Sequence, residues 1–195
     1  MSFDLKVALV GNPNTGKSTL FNVLTGLNQR VGNFPGVTVD KKTGHSKLPG
    51  GKIAQVIDLP GTYSLYPKSK DERIVFEVLA DKQNPSHPDV VVIVADASNL
   101  KRNLLLYTQV ADLKIPVVIA LNMTDVARKS GIEIDVDALS SRLGVQIVPI
   151  CARQSENIDA LKGAVSYTSN PALQYDTTEA ATHAPMPAGF AAVPP

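Results

Sequence analysis

Short runs of apolar residues, rich in valine and isoleucine, recur along the chain and show little polar alternation. Strands that are covered on both faces of a parallel sheet have this pattern, because neither face is in contact with water. Each run is far shorter than the ~20 residues that a helix needs to cross a bilayer, so no membrane span is expected. The runs predict strands at Leu5–Val10, Ile53–Ile57, Val90–Ala95, Val117–Leu121 and Gln146–Ile150.

Between these runs, apolar residues recur at the spacing of one helix face. The spacing predicts helices at Lys17–Thr25, Asp71–Ala80, Leu100–Leu113, Asp135–Leu143 and Ile158–Tyr167. Strand and helix therefore alternate along the chain. This alternation indicates an α/β fold with right-handed crossovers and with helices on both faces of the sheet.

One segment departs from this alternation. Val39–Leu48 is followed by the turn residues Pro49-Gly50-Gly51-Lys52 and then by the second apolar run. A strand, a tight turn and a return strand form an antiparallel hairpin. We therefore expect a mostly parallel six-stranded sheet with one antiparallel strand.

Composition narrows the class of protein. The 195 residues are 44% hydrophobic and 19% charged, which is typical of one globular domain. Nineteen Lys and Arg against eighteen Asp and Glu leave a net charge of +1, so we expect no nucleic-acid partner. The single cysteine cannot form an internal disulfide, which favours a reducing compartment.

The character of the sequence changes after Tyr167. Prolines lie there among alanine and threonine, and no apolar period is visible. Such composition is typical of a segment without a packed core. We expect a folded domain over residues 1–167 and a flexible tail over residues 168–195.

A glycine-rich motif lies between the first predicted strand and the first predicted helix. It matches the phosphate-binding pattern G-x-x-x-x-G-K-S/T, in which backbone N–H groups surround a phosphate. We expect Lys17 to reach the β- and γ-phosphate oxygens and Ser18 to bind Mg²⁺. The motif alone fits an ATPase, a kinase or a GTPase, and the alternative is an ordinary strand-to-helix turn. The predicted nucleotide contacts are Gly11, Asn12, Pro13, Asn14, Thr15, Gly16, Lys17, Ser18 and Thr19.

A second motif follows the fourth apolar run and indicates whether the nucleotide carries guanine or adenine. Asn122-Met123-Thr-Asp125 places a carboxylate where it can accept hydrogen bonds from guanine N1–H and the 2-amino group, a paired edge that adenine lacks. Alternatively, the motif caps a helix. Cys151-Ala152 follows the last run and is placed to offer a backbone N–H to guanine O6, although an ordinary strand-end loop has the same pattern.

A third group of residues is placed to sense the γ-phosphate. Asp58 ends the second run, where it can hold Mg²⁺ through a water, and the Gly61 N–H can approach the γ-phosphate. The segment Asn28–Val39 is polar and then extended, and its Thr38 can give Mg²⁺ a second hydroxyl, which would make the segment a switch. The alternative for Asp58-Leu-Pro-Gly61 is a simple turn.

Five blocks together resemble one family, the N-terminal G domain of the bacterial ferrous iron transport protein FeoB. The likeness covers about Leu5 to Val165. It implies a Ras-like P-loop GTPase fold of the TrmE-Era-EngA type, with GTP or GDP and Mg²⁺ as ligands. The matching blocks are Gly11–Asn22, Gln29–Val39, Asp58–Leu65, Asp96–Leu104 and Ala120–Asp125.

The resemblance also implies a K⁺ ion beside the phosphates. In that family it is bound by the residue at Asn14 and by backbone carbonyls at Gly32 and Phe34, and family members usually carry tryptophan at the last position. Thr62 stands where many GTPases have a glutamine that orients water, so slow hydrolysis accelerated by K⁺ is expected. Met123 stands where many GTPases have a lysine, which implies weaker guanine affinity. The implied catalytic residues are Asn14, Lys17, Thr38 and Gly61.

The resemblance further implies a biological role. The domain would lie at the cytoplasmic face of the bacterial inner membrane, where GTP hydrolysis regulates or energises Fe²⁺ uptake. Its partners would be the membrane permease domain of the same transporter and small Feo accessory proteins. The flexible tail over residues 168–195 stands where the family's helical domain would normally begin. Two alternatives stay open: a regulatory nucleotide switch with negligible hydrolysis, and an Era-like GTPase associated with the ribosome or tRNA.

Overall fold

The structure is a computed structural model that describes residues 3–27, 29–35, 39–67 and 69–169. Its strands are β1 (Leu5–Gly11), β2 (Gln29–Asn33), β3 (Asp40–Lys47), β4 (Ile53–Asp58), β5 (Val90–Asp96), β6 (Val117–Asn122) and β7 (Gln146–Pro149). Its α-helices are α1 (Lys17–Thr25), α2 (Lys70–Ala80), α3 (Leu100–Asp112), α4 (Thr124–Lys129), α5 (Val136–Leu143) and α6 (Ile158–Thr168).

One sheet contains all of these strands, in the order β2-β3-β4-β1-β5-β6-β7. Strands β4, β1, β5, β6 and β7 pair in parallel, whereas β3 is antiparallel to both of its neighbours. The predicted α/β class, the hairpin and the single reversed strand are therefore confirmed. Where the described residues could be searched, no helix has the length and apolar character needed to cross a membrane.

The sheet has seven strands rather than the predicted six. The additional strand is β2, in which all five residues are exposed. Its pairing with β3 runs from Gln29 opposite Gly44 to Asn33 opposite Asp40. Backbone hydrogen bonding holds β2 in place, and because its side chains enter no core, the strand has no apolar pattern that a sequence could reveal.

The sheet separates two hydrophobic clusters, and β5 shows why its sequence is continuously apolar. Val91, Ile93 and Ala95 belong to the cluster that includes buried residues of α2 and α3, while Val90, Val92 and Val94 belong to the cluster that includes those of α1 and α6. Successive side chains of a strand point to opposite faces. Both faces of β5 are thus covered by helices, as the valine-rich run predicted.

The carboxyl ends of the central strands meet at one edge of the sheet. β1 ends at Gly11, β4 at Asp58 and β6 at Asn122. Leu9 pairs with Asp58, and Asp96 at the end of β5 pairs with Asn122. In open α/β sheets, ligands bind at this edge. The fold therefore gathers the three predicted motifs around the end of β1.

Two adjacent leucines of α3 provide a test of the core. Leu106 is buried in the cluster beneath α2 and α3, whereas Leu105 is 57% exposed. Leu106→Ala is expected to lower the free energy of unfolding by about 3 kcal/mol, because it leaves a cavity in a packed core. The matched Leu105→Ala is expected to lower it by less than about 1 kcal/mol. Urea unfolding of both variants would measure the difference, and equal losses would contradict the assigned orientation of α3.

Candidate functional site

The phosphate loop connects β1 to α1, and its backbone requires a glycine at the residue directly before α1. Gly16 precedes α1 with a φ of +83°, in the left-handed region that glycine adopts without steric cost. A Cβ atom there would collide with the side-chain amide of Asn122. Asn14 also has a positive φ, 66°, a conformation that asparagine tolerates better than most residues. The N-terminus of α1 therefore opens directly onto this loop.

A lysine, a serine and an aspartate converge at the base of the loop. Lys17 Nζ lies 2.7 Å from Asp58 Oδ1, and Ser18 Oγ donates to Asp58 Oδ2 at 3.4 Å. The Lys17 and Asp58 side chains are only 10% and 7% exposed, so the ion pair is largely shielded from water. A hydroxyl and a carboxylate are the hard oxygen donors that Mg²⁺ takes. The side chains of Ser18 and Asp58 therefore fit the predicted magnesium site.

An open cavity of about 400 Å³ adjoins this ion pair. Lys17, Lys42, Asp40, Asp58 and Asp71 give it a mixed and strongly charged lining, and it also contacts residues just after β4. Such a cavity is suited to a ligand that carries both anionic groups and a metal ion. Thr38, the second predicted magnesium ligand, lies outside the described residues.

The residues implied in potassium binding fall on two segments. Asn14 is exposed in the phosphate loop, and within the described residues its side chain has no hydrogen-bond partner. Gly32 lies in β2 opposite Lys41, and Phe34 follows β2 with a buried ring and an N–H that donates to Val39 O at 3.0 Å. Burial, with a smaller contribution from Lys6, lowers the pKa of Lys41, whose ammonium lies 5.7 Å from the Phe34 ring centroid.

The segment after β4 approaches the phosphate loop closely. A Cβ on Gly61 would lie 3.2 Å from the Pro13 backbone, and the Thr62 N–H donates to Gly11 O at 3.1 Å. The side chain of Thr62 is fully buried, and its hydroxyl donates to Ser64 O at 2.6 Å. That hydroxyl is therefore directed into the protein. Thr62 occupies the place that glutamine holds in many GTPases.

Helix α3 fixes the segment that follows Thr62, a role that no motif in the sequence predicts. Gln109 Oε1 accepts hydrogen bonds from Leu65 N at 2.8 Å and from Ser64 Oγ at 3.0 Å. The Arg102 guanidinium lies 4.1 Å from the Tyr63 ring centroid. These contacts join positions far apart in sequence, and polar residues on a helix give no local signal of their partners.

Asn122 joins the base motif to both neighbouring loops. It is 3% exposed, its Nδ2 donates to Thr15 O at 2.9 Å, and its Oδ1 accepts from the Ala152 N–H at 2.9 Å. Met123 adopts a positive φ of 62° and directs the chain into α4. The side chain of Asp125, in the first turn of that helix, is half-buried beside the loop after β7.

The predicted donors to guanine O6 both have partners in this structure. Ala152 N–H donates to Asn122, and Cys151 N–H donates to Glu156 O at 3.4 Å. The Cys151 thiol instead donates to Asp125 Oδ1 at 3.4 Å. The structure thus brings Cys151 and Ala152 to the base motif, as expected. The contact between the Cys151 thiol and Asp125, which no sequence pattern predicts, lies between the loop after β7 and the start of α4.

Comparison with known proteins identifies the family. The family profile described as "Ferrous iron transport protein B" matches residues 5–165. The Fe(2+) transporter FeoB of Salmonella typhimurium is 46% identical over 161 residues, which cover 83% of this chain and 21% of that protein. The chain therefore spans about a fifth of the length of the curated relatives it matches.

Solved structures agree with this assignment. The FeoB G-domain from Methanococcus jannaschii is 40% identical with a TM-score of 0.74, over 86% of this chain and 99% of that one. The cytosolic domain of the T. maritima FeoB iron transporter, in its GMPPNP form, is 39% identical with a TM-score of 0.79, over 86% and 65% of the two chains. The chain belongs to the ferrous iron transport protein B family and has the P-loop GTPase fold of its GTP-binding G domain.

Proposed function

We propose that this chain binds and hydrolyses GTP, and that the nucleotide cycle regulates or energises Fe²⁺ uptake across the bacterial inner membrane. One observation carries the proposal: the hydrogen bond from Asn122 to Thr15 O joins the base motif to the phosphate loop across 107 residues of sequence. A nucleotide can then contact both motifs at once. The T. maritima relative in its GMPPNP form supports a triphosphate as ligand.

The phosphates would bind where Lys17 and the N-terminus of α1 meet. Lys17 supplies a shielded positive charge, and the loop amides around Gly16 add the positive potential of a helix N-terminus. Ser18, Thr38 and Asp58 would hold Mg²⁺, which neutralises charge on the phosphate oxygens. Gly61 lies against Pro13 of the loop, so its N–H is placed to donate to the γ-phosphate.

The attacking water needs a positioning group other than residue 62. The Thr62 hydroxyl donates to Ser64 O from a fully buried side chain, so it would have to give up this bond to reach a water molecule. Asn14, with the carbonyls of Gly32 and Phe34, would hold K⁺, which supplies positive charge between the β- and γ-phosphates in the manner of an arginine finger. Asn14 fits this role because its side chain is exposed within the phosphate loop. We infer slow hydrolysis that K⁺ accelerates.

Base selection would depend on Asp125, because its carboxylate can accept from N1–H and the 2-amino group of guanine together. A backbone N–H of Cys151 or Ala152 would donate to guanine O6 after its present hydrogen bond, to Glu156 O or to Asn122 Oδ1, is broken. Met123 contributes no cation along the base, which implies modest affinity. GTP and GDP are accordingly the proposed ligands.

The proposed setting rests on the relatives. A chain that spans a fifth of a Fe(2+) transporter would act at the cytoplasmic face of the membrane, on the permease domain of the same protein, with small Feo accessory proteins as further partners. Residues 1–167 would form the G domain, and residues 168–195 would be a flexible tail at the place where the family's helical domain normally begins; residues 170–195 of that tail lie outside the described residues. We propose no nucleic-acid partner, because a net charge of +1 offers no strong field.

The buried hydroxyl of Thr62 also favours a second candidate function, a regulatory switch that hydrolyses GTP too slowly to energise transport. Single-turnover hydrolysis compared with Fe²⁺ flux through the whole transporter separates the two. A hydrolysis rate that matches the flux supports energisation. A rate far below the flux supports gating by the bound nucleotide.

Potassium dependence gives the first test. Hydrolysis of GTP is expected to be at least about tenfold faster in KCl than in NaCl, because a positioned cation stabilises developing charge. Asn14→Ala is expected to abolish this difference, while Gln29→Ala, an exposed amide on β2, keeps it. Phosphate release at matched ionic strength measures both. Equal turnover in the two salts, or a retained potassium response in Asn14→Ala, would contradict the proposed site.

Base preference gives the second test. The protein is expected to bind GTP at least about a hundredfold more tightly than ATP, because unpaired polar groups in the site penalise adenine. Asp125→Asn exchanges an acceptor for a donor and is expected to shift preference toward XTP, whose C2 oxygen accepts where guanine donates. Asp112→Asn, on the exposed end of α3, is the matched control. Calorimetry with the three nucleotides measures the preference, and similar affinities for GTP and ATP would exclude base selection.

A further inference from the structure

The side chain of Gln109 links helix α3 to the segment after β4. Its Oε1 accepts from the Leu65 N–H at 2.8 Å and from the Ser64 hydroxyl at 3.0 Å. A backbone N–H can only donate, so the oxygen of the amide, and not its nitrogen, must face Leu65. Gln109 is half-buried and Leu65 is buried, so these two bonds are partly shielded from water.

A continuous series of hydrogen bonds leads from Gln109 to the phosphate loop. The Ser64 N–H donates to Thr62 Oγ1 at 3.2 Å, and the Thr62 hydroxyl donates to Ser64 O at 2.6 Å. The Thr62 N–H donates to Gly11 O at 3.1 Å. Ser64 and Thr62 are thus bonded to each other, to α3 through Gln109 and to the end of β1 through Gly11.

Gly61 directly precedes this bonded pair. Its position is close to the phosphate loop, since a Cβ there would lie 3.2 Å from the Pro13 backbone. Among the described residues, none accepts a hydrogen bond from the Gly61 N–H, so this donor is available to a ligand. The place where the following residues hold the chain therefore determines where the Gly61 N–H meets that ligand.

Helix α3 contacts the same segment at a second point, near its N-terminus. The Arg102 guanidinium lies 4.1 Å from the Tyr63 ring centroid, and both side chains are exposed. Arg102 and Gln109 are seven residues apart, which is about 10 Å along a helix. The contact between Arg102 and Tyr63 is non-directional and open to water, whereas the bonds to Gln109 are directional and partly shielded. Gln109 is therefore the contact that fixes the segment most closely.

We propose that Gln109 is a positioning residue for recognition of the γ-phosphate, whose amide oxygen holds Ser64 and Leu65 and thereby keeps the Gly61 N–H against the phosphate loop. The inference rests on the proposed role of Gly61 and adds the group that fixes its position. GDP has no γ-phosphate, so its binding does not use the Gly61 N–H. Loss of the acceptor at residue 109 is expected to weaken triphosphate binding and hydrolysis and to leave GDP binding intact.

The ratio of GMPPNP affinity to GDP affinity reports on this effect. A variant that only destabilises the domain weakens both ligands and leaves the ratio unchanged. A variant that releases Gly61 lowers the ratio itself. Single-turnover hydrolysis of GTP gives a second readout, because charge develops on the phosphate oxygens in the transition state and a displaced N–H stabilises it less.

The experiment compares the wild type with two substitutions of Gln109. Gln109→Met keeps an unbranched side chain of similar length but lacks the oxygen, whereas Gln109→Glu keeps an oxygen that accepts both bonds. Ser64→Ala removes one of the two bonds from the other side and serves as the second test if Gln109→Met folds poorly. Gln83→Met, the same change at an exposed side chain after α2, is the matched control. Isothermal titration gives the affinities, and thermal unfolding confirms that each variant is folded.

Gln109→Met is expected to lower the affinity ratio and the single-turnover rate about three- to tenfold each, the effect of a well-formed hydrogen bond. Ser64→Ala is expected to change both in the same direction, and Gln109→Glu and Gln83→Met are expected to keep the wild-type values.

The outcomes separate this inference from the proposed function. A wild type that hydrolyses no GTP would overturn the proposed function, and this inference with it. A wild type that hydrolyses GTP, together with an unchanged ratio and rate in Gln109→Met or, if that variant does not fold, in Ser64→Ala, would overturn the role of Gln109 alone. An equal loss in Gln109→Glu and Gln109→Met would also overturn it, because the glutamate retains the acceptor.

Discussion

The side-chain amide of Asn122 is the constraint around which the nucleotide site is organised. It donates to the phosphate loop and accepts from the loop after β7, and it does so while almost fully buried. Loss of either bond would leave a backbone group without a partner in a low-dielectric interior, which costs about 1–3 kcal/mol. Gly16 must lack a side chain because this amide lies against it. One buried side chain thus joins the phosphate loop, the base motif and the loop after β7.

The second organising element is the group of contacts that α3 makes with the segment after β4. Thr62 is buried, Leu65 N–H is bonded to Gln109, and Tyr63 stacks on Arg102. Arg102 O in turn accepts from Asn12 Nδ2 at 3.4 Å, so the same helix contacts the phosphate loop. Contacts with α3 therefore connect the segment after β4 to the phosphate loop.

The sequence allowed most of the fold to be predicted because its pattern reports burial. Strand β5 is continuously apolar since both of its faces are covered. Strand β2 contacts no core, and α4 has six residues, too few to establish a helical period, so neither could be predicted. At the site, motif order located Lys17, Asp58 and Asn122. The partners of Gln109 and of the Cys151 thiol depend on how distant loops meet in three dimensions, and no spacing in the chain encodes that meeting.

The exposed strand β2 differs energetically from the rest of the sheet. Since none of its side chains is buried, peeling it from β3 exchanges backbone hydrogen bonds for bonds to water and exposes almost no apolar area. The next residue, Phe34, has a ring that is 3% exposed within the core, and withdrawing it costs about 1.5–3 kcal/mol. Burial of this one aromatic ring therefore supplies most of the side-chain free energy that anchors β2 to the sheet, and the size of the side chain at residue 34 sets how readily the strand detaches.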